Sequence, residues 1–171
     1  MRKFKLYYDK DAEEAWLREL DEKGWALQSF CLGLYTFVPC RPGTYQYWIE
    51  LLPANLAEQE AYLAFLKESG LEVVERWARW IYLRREKAAG PFTLYSDTAS
   101  KMAQYRRIRR FFALFLGIEV IFLGVEAAAV LDTGEPIFLL FFTIILAVTL
   151  AFCRAVYQCS KKIRSLEEGM H

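Results

Sequence analysis

Two carboxylates stand where water is scarce. Glu119 and Glu126 interrupt a run that is otherwise apolar over residues 111–131. Ionisable groups in such a run are costly to place in hydrocarbon and often carry function. Seven residues apart, they share one face of a helix. Glu119 would lie about 13 Å from the inner boundary of a bilayer at 1.5 Å rise per residue, and Glu126 near the outer boundary. A second apolar run, 136–153, would fold back antiparallel. That sets Thr149 at the depth of Glu119 and Thr143 at the depth of Glu126. Arg154 then sits one turn closer to the inner surface and within stretching reach of Glu119. These five residues suit an ion, a ligand or a partner helix, or a polar brace inside a hairpin or dimer. Gly117 and Gly124, with Ala113 and Ala128, add the small-residue spacing that lets helices approach closely.

Elsewhere the chemistry-bearing residues do not assemble into a known site. The only histidine is His171, which leaves histidine catalysis and histidine metal sites almost without material. Cys31, Cys40, Cys153 and Cys159 have no C-x-x-C spacing, and no disulfide framework is expected. Glu50 and Asp97 are isolated carboxylates rather than an acid/base pair. A phosphate-binding loop, a nucleophile elbow, a zinc pattern and a dinucleotide fingerprint are all missing from the sequence. We therefore expect no catalytic, cofactor-binding or metal-binding residues. Trp16, Trp25, Trp48, Trp77 and Trp80 suit either a ligand groove or a core with a cross-strand aromatic ladder. Arg76, Arg79, Arg84 and Arg85 read as a solvated edge or as contacts to a membrane surface.

The two apolar runs need an element to hold them. Each approaches the ~20 residues that cross a bilayer as a helix, and only residues 132–135 lie between them. A transmembrane hairpin over 111–157 follows. A buried helix pair in a soluble protein is the competing reading, but both runs are apolar on every face. Arg106, Arg107, Arg109 and Arg110 precede the first run, and Arg154, Lys161, Lys162 and Arg164 close the second. The loop carries Asp132 and Glu135 and no Lys or Arg. Basic flanks stay inside, so a multi-pass protein of the cell membrane with both termini cytoplasmic is expected. Residues 1–10 do not form a signal peptide.

Residues 1–95 should fold as one small cytoplasmic domain. Residues 1–100 hold 13 Lys/Arg against 15 Asp/Glu, and 101–110 add five basic residues and no acid. That places basic charge beside lipid headgroups and not on a nucleic-acid surface. Alternation and turn residues predict strands over 3–8, 25–30, 34–38, 44–52, 71–77 and 80–85, with helices over 11–23 and from Asn55 to Gly70. No repeat at solenoid period is visible. The class is α+β, a ferredoxin-like antiparallel sheet with two helices on one face. A basic stalk helix over 96–110 follows, capped by Ser96 or Asp97 and running into the first span. Residues 158–171 form a cytoplasmic tail.

Several segments resemble a known family. Glu22-Lys-Gly-Trp25, Tyr35-Thr-Phe37, Pro42-Gly-Thr-Tyr-Gln-Tyr47, Ile49-Glu-Leu-Leu52 and Gly90-Pro-Phe-Thr-Leu-Tyr-Ser-Asp97, with Ser100-Lys101 and Tyr105, are similar to the bacterial membrane family called domain of unknown function 2812. The likeness covers about residues 1–110. It implies no catalytic residues, and it implies genomic association with PadR-type regulators. The expected function is a non-enzymatic regulatory or sensing module whose α+β domain binds a protein or small ligand. The alternative is a subunit of an oligomeric transporter or channel built around Glu119. The expected partners are the bilayer and a protein partner or second copy.

Overall fold

The computed structural model describes residues 1–7, 9–95 and 97–169. They form two compact units, Met1–Leu94 and the segment from Tyr95 onward. In the first unit the order is β1 (Arg2–Phe4), α1 (Lys10–Glu22), β2 (Trp25–Cys31), β3 (Leu34–Pro39), β4 (Tyr45–Leu51), α2 (Leu56–Glu68), β5 (Glu72–Trp77) and β6 (Trp80–Glu86). The class is α+β and every strand pairing is antiparallel.

One motif is used twice. Each half runs β-α-β-β, and the sheets are ordered β1-β3-β2 and β4-β6-β5, with the last strand of each half in the centre. The same interval of 46 residues relates the devices that build them. Asp9 and Asn55 are the N-caps of α1 and α2, each accepting from the amide two residues on at 2.9 Å. Gly24 and Gly70 follow the helices with φ +82° and +76°, a region that favours glycine. A bulge follows Leu27 in β2 and Val73 in β5. Leu32 and Ala78 turn the hairpins with φ 46° and 52°. The trace in the sequence is Glu14-Ala-Trp-Leu-Arg-Glu-Leu20 beside Glu60-Ala-Tyr-Leu-Ala-Phe-Leu66.

The expected antiparallel α+β plan is present, but among the described residues its strands and helices are arranged differently from one sheet with two helices on one face. There are two three-stranded sheets. β2 and β5 lie alongside each other, but both carry bulges. The bulges interrupt the β2–β3 and β5–β6 ladders and twist their strands, and among the described residues no ladder joins β2 to β5. The helices also take different faces. Leu17 and Leu20 of α1 pack with Leu27, Tyr35 and Phe37 of the first sheet and Tyr47, Ile49 and Tyr82 of the second. Leu66 of α2 packs with Leu52, Leu71, Ile81 and Leu83. Ile49 pairs with Tyr82, while Ile81 and Leu83, one residue to either side, point to the opposite face. α1 and α2 therefore cover opposite faces of the second sheet. The first strand is shorter than expected, and its expected end, Tyr8, lies outside the described residues.

After β6, a short 3₁₀ turn (Lys87–Ala89) leads to Gly90 at φ +91°. Phe92 and Leu94 then pack against the α2 cluster, with Phe92 edge-on to Trp48 at 5.5 Å.

The second unit is a helix pair, α3 (Thr98–Thr133) and α4 (Pro136–Glu168). Gly134, left-handed at φ 64°, ends α3, and Pro136 opens α4. Phe152 of α4 meets Phe112 and Phe115 of α3 at 5.9 and 6.0 Å. The apolar windows of the two helices are only 0% and 6% buried within the chain, unlike helices from the core of a soluble protein. Both are long and apolar enough to cross a membrane. α4 does not stop near residue 157 but continues to Glu168. The cause is a seam at helical spacing, with Ala155, Cys159 and Ile163 buried on α4 and Met102, Tyr105 and Ile108 buried on α3.

Candidate functional site

The densest set of buried polar groups belongs to α1. Glu13 falls four residues before Leu17 and seven before Leu20, so it shares their buried face. Its Oε1 accepts from Tyr35 Oη at 2.6 Å and from Tyr82 Oη at 2.7 Å. One carboxylate thus ties α1 to the central strands of both sheets. Glu14 Oε1 accepts from the Ile49 N–H at 2.8 Å and from Lys10 Nζ at 3.1 Å. Asp21, two turns further, accepts from the Tyr45 N–H at 3.0 Å and from Cys40 Sγ at 3.6 Å. Glu14 and Asp21 therefore take up amides on the edge that β4 turns away from β6. A buried edge with unmet donors would be strongly unfavourable, and these carboxylates meet the need.

The seam between the sheets is closed in the same manner. The Leu27 N–H, just before the β2 bulge, donates to Tyr47 Oη at 3.1 Å. The Leu27 carbonyl accepts from Arg84 Nη1 at 3.3 Å. Side chains of the second sheet thus satisfy backbone groups that a continuous ladder would have paired.

The electrostatics follow from burial. Removal from water pushes the Glu13 carboxyl above its usual range, and the two phenol bonds offset only part of that. Burial raises Glu14 as well, against the pull of Lys10. Burial would lower the Lys10 ammonium, but Glu14, Glu50 and Asp11 outweigh it and hold its pKa up. Burial, then the adjacent Glu13 carboxylate, drives the Tyr35 and Tyr82 hydroxyls far above the normal phenol range. Burial moves Tyr47 up to about 12. The phenols are neutral donors at any physiological pH. Such a set holds a donor or a cation, whereas a working base or nucleophile needs an ionised group with open access.

Aromatic rings surround the carboxylate but do not form one platform. Trp16 meets Tyr35 at 4.9 Å, Phe37 at 5.7 Å and Tyr7 at 5.6 Å. Phe30 meets Tyr82 at 4.6 Å and Trp77 at 6.1 Å. Trp25 and Trp80 lie at the rim of the same cluster, and Trp48 belongs to the other. Four of the five tryptophans are thus distributed over two cores, and Trp77 is exposed.

Near the last hairpin, Arg76 is exposed and Arg79, Arg84 and Arg85 are half-buried, each with a partner. Arg79 donates twice to the Leu52 carbonyl, at 3.1 and 2.6 Å. Arg84 pairs with Glu72 and lies over Tyr45. Arg85 lies over Phe92, and Arg76 donates to Gln59. Each serves a neighbour within its own unit, because β5–β6 returns them to carbonyls and rings that need donors.

In the helix pair, Glu119 and Glu126 are half-buried, and Glu126 Oε2 is buried with no hydrogen-bond partner. Thr149, buried, donates to its own helix at Ile145 O, 2.9 Å, and exposed Thr143 to Leu140 O, 2.7 Å. Arg154 is exposed, and among the described residues no ion pair joins it to Glu119. Arg106 pairs with Glu167 at 3.0 Å and Lys162 lies 6.0 Å over Tyr105. Arg107 and Arg109 are half-buried, and Arg110 and Lys161 exposed. Asp97 caps α3, accepting from Ser100 N at 2.7 Å and Ser100 Oγ at 2.8 Å. These bonds hold its carboxyl below the usual range. Ser96 lies outside the described residues.

Sequence reasoning missed Glu13, Glu14, Tyr35 and Tyr82. The available signal was the pair of acids on the apolar stripe of Leu17 and Leu20. Among the described residues no three His, Cys, Asp or Glu are placed to hold a metal ion. No curated protein and no solved structure matches the chain. A family model described as "Protein of unknown function (DUF2812)" matches residues 9–116. That match spans both β-α-β-β halves after β1 and reaches into α3. With most of its length so matched, the chain belongs to the DUF2812 family.

Proposed function

We propose that the chain is a membrane-anchored regulatory or sensing module with both termini cytoplasmic. Its α+β unit binds a protein or small ligand, and α3 couples that unit to the apolar hairpin. The observation that carries this reading is α3 itself. It is a single helix of 36 residues, about 54 Å at 1.5 Å per residue. It starts four residues after the α+β unit and ends past the first apolar run. A helix without a break transmits a change at one end better than a loose tether. The basic flanks support the orientation, and the genomic neighbourhood implied by the family resemblance supports regulation.

The test is proximity labelling with the full chain in its native membrane, together with thermal shift of the purified chain across a ligand library. A stable partner or a ligand that raises the melting temperature supports the reading. Neither appearing overturns it. A transporter or channel subunit is the second reading, and the buried, unpartnered Glu126 Oε2 favours an intramembrane polar contact in an assembly. It requires self-association in mild detergent and loss of function in Glu119→Gln with normal insertion. A monomer with a silent Glu119→Gln removes it.

A further inference from the structure

The second sheet has a helix against each face, but the first sheet does not. Its inner face, Leu27, Tyr35 and Phe37, meets α1. Its outer face begins with Phe4 of β1, which pairs with Leu34 of β3, and neither residue belongs to a hydrophobic cluster of the unit. Phe4 is 69% exposed, Leu6 58%, Leu32 67% and Leu34 42%. These residues gather at one tip. A Cβ on Gly33 would meet Leu6 Cδ2 at 2.7 Å and Phe4 Cε2 at 3.2 Å, so both side chains lie on the hairpin turn. The Lys5 N–H fastens the segment by donating to Gly33 O at 2.8 Å.

Charge around this tip runs against the rest of the unit: Arg2 shares the face of Phe4, while Lys3, opposite Tyr35, and Lys5, over Trp16, flank it from the inner side. Arg2, Lys3 and Lys5 are all exposed in a domain that is slightly acidic overall. Glu19 lies within electrostatic reach of Lys3 and Lys5 but is bonded to Lys23 at 2.5 Å. Lys5 Nζ sits 4.7 Å over Tyr7 and 5.0 Å over Trp16, a cation above amphipathic rings as at a membrane–water interface. β1 is only three residues long and lysine-flanked, features that discourage pairing with another strand.

From this juxtaposition we propose that the tip formed by residues 2–6 and 31–34 docks on an anionic lipid surface. Phe4, Leu6, Leu32 and Leu34 enter the headgroup boundary, while Arg2, Lys3 and Lys5 neutralise phosphates. The argument for this occupant is charge complementarity, joined to the two helices of the same chain that are apolar enough to cross a bilayer. Apolar area combined with basic charge is the general basis of interfacial binding. Each basic residue near an anionic surface is worth about fivefold in partitioning, so three give roughly 100-fold.

The experiment is hydrogen exchange of the full chain in nanodiscs of phosphatidylcholine alone or with added phosphatidylglycerol. Amides of residues 3–6 and 31–34 should exchange more slowly in the anionic discs. Changing Arg2, Lys3 and Lys5 together to Gln should abolish the difference. Leu32→Gln, which touches neither charge nor core, should weaken the protection independently. Equal exchange in both discs overturns the proposal. Protection that ignores lipid charge and vanishes at one copy per disc overturns it in favour of a second copy. The inference rests on the membrane reading of the hairpin. A chain that never enters the disc defeats that reading, whereas an inserted chain with an unprotected tip defeats only this one.

Discussion

The two β-α-β-β halves share caps, bulges and turns, yet their helices carry different loads. Glu13 and Glu14 of α1 are buried, and so is Asp21. Their counterparts 46 residues on are Gln59, Glu60 and Lys67. Gln59 is buried and neutral, donating to Pro53 O at 2.8 Å, while Glu60 and Lys67 are exposed. The difference comes from what each helix touches. α1 packs on both sheets and lies along the free edge of β4, whose amides need acceptors. α2 packs on the second sheet alone. A duplicated motif thus placed its charged, hydrogen-bonding helix at the seam and left the other as a cover.

The largest expected contrast is between Glu14 and Glu60. Glu14→Ala leaves Lys10 without a main partner and the Ile49 amide unmet, a loss of about 3–5 kcal/mol. Glu60→Ala should change stability by less than about 0.5 kcal/mol. Urea unfolding of the full chain in mild detergent measures both, and equal effects would erase the distinction between the helices.

Glu13→Gln copies the second half onto the first. It keeps one acceptor for the two tyrosines but buries an amide donor, at about 1–3 kcal/mol. It should also change the pH profile. The Glu13 carboxyl is raised on folding, so the folded state binds its proton more tightly than the unfolded one. That contribution is full below the ordinary carboxylate range and is lost as pH rises through the folded value. Stability of the wild type should therefore fall over that rise, and the fall should be smaller in Glu13→Gln. An unchanged slope would mean that Glu13 is ionised or exposed in solution.

The caps should not differ between halves. Asp9→Ala and Asn55→Ala each remove the same bond and should each cost about 1 kcal/mol. Helix protection measured by hydrogen exchange tests the equality, and a large disparity would count against the repeat. Phe65→Ser should have the smallest effect. Phe65 is 52% exposed on α2, and removing it should alter melting little. A marked loss would show that α2 is covered by something in the assembled protein.

The pair of long apolar helices was legible because it rests on local quantities. About twenty apolar residues in each run, a break of only residues 132–135 and flanking basic residues are read directly along the chain. The α+β class, the cap at Asp97 and most strands were legible for the same reason. The internal repeat left a trace in Glu14-Ala-Trp-Leu and Glu60-Ala-Tyr-Leu. It was hidden because the halves share few other residues and the period is used only twice.

Other features needed the folded chain. Nothing local distinguishes Glu13, Glu14 and Asp21 from solvated helix acids. Their burial depends on β3, β4 and β6 arriving from residues far along the chain. Arg79 and Arg84 look like surface charge until the Leu52 and Leu27 carbonyls meet them. The split into two sheets and the bulges in β2 and β5 depend on which strands pair, and in what register. The sequence alone determined what each segment is, since helix, strand and long apolar helix follow from short-range periodicity and apolar length. The tertiary structure decided which polar groups are buried and whom they serve, since desolvation and backbone pairing are properties of distant neighbours.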